Sequence, residues 1–68
     1  MNKFFGERLL ELRTEKGISQ ANFAKEIGVG KSNISSWERG EVEPTLSKLV
    51  AIAKYFGVTI DYLAGLED

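Results

Sequence analysis

Neither cysteine nor histidine occurs among the 68 residues of this chain. The first absence excludes disulfides, thiolate zinc sites and thiol nucleophiles together. The second removes the side chain that most often serves as general base near neutral pH and as metal ligand. The ten carboxylates are scattered and form no obvious set, so neither an enzyme nor a cofactor or metal site is expected. Proline is almost missing; Pro44, the one instance, marks a loop in "EVEP". No apolar run approaches the ~20 residues that cross a bilayer. The opening "MNKFFGERLL" reaches charge too soon for a secretory signal. A cytoplasmic protein with no membrane partner is expected. Hairpin turn signals, internal repeats and low-complexity segments are also missing.

What is present is a composition of 43% hydrophobic and 28% charged residues, the balance of a small globular domain. A chain this short buries only about 60% of the surface it exposes when unfolded. Efficient helix packing or a second subunit must therefore supply its stability. Phe5, Leu9 and Leu12 recur at helical spacing, in a segment that Gly17 can end. Ser19 can cap a second helix with Phe23, Ala24 and Ile27 inward, stopped by Gly28. Ile34 and Trp37 mark a third, closed by Gly40. Thr45 caps a fourth, whose stripe of Leu46, Leu49, Ile52, Ala53 and Phe56 is the widest. Gly57 ends it, and Thr59 starts a last short helix through Ile60 and Leu63. The pattern predicts an all-α domain with helices near 3–16, 20–27, 31–38, 46–56 and 60–64.

The run "GVGKSN" resembles the end of a phosphate-cradling nucleotide loop. That loop needs a glycine five residues before Gly30, where this chain has Lys25. It also needs a strand and a βαβ unit, for which there is no sign. A turn between two helices accounts for the run better. Short helices joined by about three residues must cross steeply, and Ala24 is the small residue at the approach, facing Ile34. Gly28 sits where the chain reverses, a place that favours positive φ and hence glycine.

On a helical wheel with Ile34 and Trp37 inward, Ser32, Ser35, Ser36 and Arg39 lie on the opposite face, with Lys31 on its flank. That face carries hydroxyls and cations and no carboxylate, while Glu38 turns partly inward. Such a face suits a DNA major groove, whose bases offer acceptors and whose walls are phosphates. The plainer reading is a solvated row of serines.

Residues 5–64 resemble the lambda-repressor-like (Xre-type) helix-turn-helix family of bacterial and phage regulators. The likeness is carried by "FGERLLELR", "KGISQANFAKEIGV" and "NISSWERGEVEPTLSKLVAIAKYFGVTIDYL", with Gln20, Ala24, Gly28, Ile34 and Trp37 at the family's spacing. It implies a compact five-helix domain in which helices two and three form the helix-turn-helix. The third helix would enter the major groove, usually from a homodimer on a palindromic operator. Carried over by position, Lys31, Ser32 and Ser36 match base-contacting residues, with Ser35 a weaker match. Ser19, Gln20 and Arg39 match phosphate contacts, and Gln20 also helps orient the third helix. Similar proteins pair an arginine of helix one with a glutamate ending helix three, here Arg13 and Glu38. The other possibility for that pair is two unrelated surface charges. Ala24, Gly28, Ile34 and Trp37 complete the structural set.

Two positions depart from the family pattern. Gly30 stands where Ser or Thr is common, so it can cap a helix but offers no hydroxyl to a phosphate. Glu41 and Glu43 make the following loop acidic where relatives are often basic, which weakens non-specific affinity. Formal net charge is −1, yet residues 19–40 hold three basic and two acidic groups and residues 41–68 hold two and five. The acidic excess thus lies outside the expected DNA-facing part. Val50, Tyr55, Tyr62 and Leu66 lie off the main stripe, as ordinary partly buried residues or as a homodimer contact. The expected function is a sequence-specific double-stranded DNA-binding transcriptional repressor. The alternative is an interaction module of the same fold that binds another regulator.

Overall fold

A computed structural model describes residues 3–67. Five helices follow one another: α1 (Lys3–Lys16), α2 (Gln20–Ile27), α3 (Lys31–Glu38), α4 (Leu46–Phe56) and α5 (Ile60–Leu63). Their starts are local chemistry. The hydroxyls of Ser19, Thr45 and Thr59 accept the backbone N–H of Asn22, Lys48 and Tyr62 at 3.1, 3.3 and 2.9 Å. Each satisfies a donor that the first helical turn leaves without a partner. Gly30 precedes α3 in extended geometry and supplies no such bond. Gly28 adopts φ +75° and lets Val29 N–H return to the Ala24 carbonyl at 2.9 Å, turning the chain from α2 towards α3. The fifth helix stops at Leu63, one residue short of the predicted end, with Ala64 as its C-cap.

Helix α3 packs on α1 and α2, α4 on α2 and α5, and α5 closes against α1. The core is a single cluster in which Leu9, Phe23, Ile34, Ile52 and Leu63 are fully buried. Phe5 meets Trp37 edge-on with ring centroids 6.5 Å apart, which ties α1 to α3. Phe23 meets Tyr55 and Phe56 in tilted pairs with ring centroids 5.3 and 5.1 Å away, which ties α2 to α4. Aromatic pairs of this geometry add about 0.5–1.5 kcal/mol beyond their area.

Leu46 does not belong to this core. It is 72% exposed, and the buried residues of α4 begin at Leu49. The sequence pattern assigns the close approach to α3 to Ala24, and Ala24 is buried, but a tight approach to α3 is seen at Gly6. Gly6 is buried in α1, and a Cβ there would lie 2.6 Å from the Glu38 carbonyl oxygen and 2.7 Å from that of Trp37. The end of α3 therefore rests directly on the backbone of α1. Among the described residues, no helix is long and apolar enough to cross a membrane.

Candidate nucleic-acid interface

Burial of Ile34 and Trp37 fixes the rotation of α3 and turns its other side outward. Lys31 and Ser32 are exposed in the first turn, and Ser35 and Ser36 are half-buried in the next. Asn33, which the sequence reading passed over, is exposed beside them and lines an open groove of about 300 Å³ with Val29, Trp37, Val42 and Pro44. Its only sequence signal was an amide in a helix first turn. Lys48 reaches the same groove from α4 and donates its Nζ proton to the Ile27 carbonyl at 3.1 Å. That bond satisfies an end carbonyl of α2 and steadies the turn into α3.

A buried-edge network orients the helix. Arg13 Nε donates to Glu38 Oε2 at 2.7 Å and Nη2 to Oε1 at 3.3 Å. A third donor of the same guanidinium reaches the Ile18 carbonyl at 2.9 Å. The two side chains are only 15% and 7% exposed. Gln20 Nε2 donates to Glu38 Oε1 at 2.9 Å. One carboxylate thereby links α1, the start of α2 and the end of α3. Gln20 has two amide protons, so a second N–H is left beyond the bond to Glu38. Ser19 likewise spends acceptor capacity on its cap and retains a hydroxyl proton.

Arg39 is arranged differently from expectation. The helical wheel leaves the outward face free of carboxylates, but Glu41 turns back onto it from the next loop. Arg39 Nε donates to Glu41 Oε2 at 2.9 Å and Nη2 to Oε1 at 3.0 Å. A further proton of Arg39 goes to the Ser35 hydroxyl. The hydrogen bond from Arg39, then its charge, hold the Glu41 carboxyl below the usual glutamate range; the same contacts raise Arg39 further. Spacing on a wheel misses this, because Glu41 lies past the helix end.

Two further basic residues, Arg8 and Lys16, are engaged with aromatic rings. Arg8 lies 4.3 Å over the Tyr62 ring and donates to the Tyr62 and Glu67 carbonyls, pinning the C-terminal segment to α1. Lys16 sits 4.9 Å over Tyr55. Tyr55 and Tyr62 thus have partners within the chain, Val50 is half-buried, and Leu66 remains 75% exposed.

A five-helix domain in which two short helices joined by a tight turn pack together, the second with a polar outer side, defines the class of helix-turn-helix domains. The family model for helix-turn-helix matches residues 9–63. The chain is 41% identical over 64 residues to the HTH-type transcriptional activator BcrR of Enterococcus faecalis, covering 94% of this chain and 31% of that protein. It is 39% identical over 61 residues to repressor protein C2 of Salmonella phage P22, covering 90% of this chain and 28% of the relative. The crystal structure of the P22 c2 repressor with a synthetic operator superposes with a TM-score of 0.89 at 36% identity, over 97% of this chain and 100% of that one. This chain belongs to the lambda-repressor-like helix-turn-helix family. It spans about a third or less of the two curated relatives described.

Proposed function

We propose that the chain binds double-stranded DNA in a sequence-specific way and regulates transcription, acting in the cytoplasm as a repressor. In this reading α3 enters the major groove. Lys31, Ser32 and Ser36 reach base edges with Ser35 beside them, and Ser19, Gln20 and Arg39 anchor phosphates. One helix reads few base pairs, so a homodimer on a palindromic operator supplies selectivity, with half-sites about 34 Å apart. The observation that carries the reading is the first turn of α3, where Lys31 and Ser32 are exposed above the buried Ile34 and Trp37. Repression is the simplest outcome of occupying an operator, and the P22 relative is named a repressor.

Selection of bound duplexes from a random pool, followed by anisotropy titration at several salt concentrations, tests it. A selected duplex is expected to bind about a thousandfold or more tighter than random DNA. No response to any duplex would overturn the reading and leave the interaction module.

A further inference from the structure

The Arg39–Glu41 pair has the geometry of a phosphate clamp already filled. Its position is built into the backbone. Gly40 takes φ +75° after α3, its N–H returns to the Trp37 carbonyl at 3.1 Å, and Glu41 N–H returns to the Ser36 carbonyl at 3.0 Å. This pair of bonds is the Schellman ending of a helix, and it folds the residue after the glycine back onto the last turn. Glu41 is consequently held beside Arg39 at the edge of the candidate interface. Two parallel N–H···O bonds, at 2.9 and 3.0 Å, fill the guanidinium fork. A carboxylate and a phosphate accept from that fork in the same way. Both side chains are more than half exposed, at 54% and 56%, so the pair is weak and open to exchange.

We propose that Glu41 is an internal stand-in for a DNA phosphate. It occupies the fork of Arg39 in the free chain and has to release it for a backbone phosphate to dock. Glu41 acts through Arg39, as a positioning residue that lowers affinity for all duplexes alike. It touches no base, so it trims non-specific binding and leaves the difference between operator and random DNA unchanged. The inference rests on the reading of Arg39 as a phosphate anchor.

The test uses the full chain with E41Q, R39Q and the double variant, each titrated by anisotropy against a selected duplex and a random one. E41Q is expected to tighten both by the same factor, about three- to tenfold at ~0.1 M salt, without adding a neutralised phosphate to the salt slope. In the R39Q background the same change is expected to gain less than about twofold. In the DNA-free protein, the Arg39 Nε–H resonance is expected to be shifted from the position of an exposed, unpaired arginine, and to lose that shift in E41Q. Equal gains with and without the arginine would reduce Glu41 to general repulsion and overturn the proposal. So would an unchanged Nε–H signal, or an unchanged affinity in E41Q. If the unaltered chain binds DNA while E41Q has no effect, only this inference falls; if none of the proteins binds any duplex, the functional reading falls with it.

Discussion

Arg13 and Glu38 stand 25 residues apart and meet through two hydrogen bonds, the shorter 2.7 Å, at the edge of the core. Gln20 adds a third donor to the same carboxylate. The last turn of α3 is thereby fastened to both of its neighbours, and the orientation of the outer face depends on that fastening. Removing one partner of a buried pair costs about 3–5 kcal/mol, because the other is left charged without compensation. With residual exposure of 15% and 7%, the lower end of that range applies. Arg13→Met is expected to cost about 3 kcal/mol, lowering the melting temperature by more than about 12 °C in a domain of this size. Adding Glu38→Gln is expected to recover part of the loss in thermal unfolding followed by circular dichroism. Strict additivity of the two changes would speak against a coupled pair.

Gly6 gives a prediction of unusual sign. In an open helix position, glycine to alanine stabilises by about 1 kcal/mol through propensity. Here the added methyl meets the Glu38 and Trp37 carbonyl oxygens at 2.6 and 2.7 Å, and both belong to backbone. Gly6→Ala is expected to destabilise by about 1–3 kcal/mol, the usual cost of overpacking. Chemical denaturation measures it, and an increase in stability would show that α1 and α3 do not approach this closely.

Base and phosphate contacts differ in how they respond to sequence. Lys31→Ala is expected to weaken the selected duplex by about 1–3 kcal/mol and random DNA by less. Arg39→Gln is expected to weaken both equally and to flatten the salt slope by about 0.9. Titration of both variants against both duplexes separates the roles. A uniform loss for Lys31→Ala would move that residue to the phosphate group.

The Arg39–Glu41 pair carries a pH signature. Its hydrogen bond and charge lower the Glu41 pKa, so the folded chain binds that proton more weakly than the unfolded one. The contribution of the pair is therefore complete above the ordinary glutamate value of 4.5 and is lost as pH falls through the depressed one. Exposure keeps the effect on stability small. Site-resolved carbon NMR is expected to show Glu41 titrating below the ordinary glutamate value, and returning towards it in the R39Q variant. A Glu41 midpoint that ignores this substitution would show the pair is not formed in solution.

Association is open to a direct measurement of mass. Leu66 is 75% exposed, and half-buried Val50, Tyr55 and Tyr62 are the other candidate contact residues. Sedimentation equilibrium at high micromolar concentration is expected to report a dimer, and Leu66→Lys to shift it towards monomer. A strict monomer in the unaltered chain would remove these residues as an interface.

Much of the fold was written locally. Ser19, Thr45 and Thr59 bond to backbone groups three residues ahead, and Gly28 and Gly57 end helices in the left-handed region. Such interactions need only neighbouring residues, so helix limits and the inward placement of Phe23, Ile34 and Trp37 followed from spacing. Even the rotation of α3 was accessible, since two large apolar side chains leave one face to water. What helix crossings bring together was not accessible. Leu46 continued the stripe of α4 but stands exposed, Gly6 meets the end of a helix some thirty positions away, and Arg8 and Lys48 reach carbonyls fixed by other helices. The Glu41 carboxylate reached the outer face because the backbone doubled back at Gly40. Periodicity records which side of a helix is apolar, whereas the atoms facing that side, and the charge arriving from the loop beyond it, depend on distances that exist only once the helices have packed.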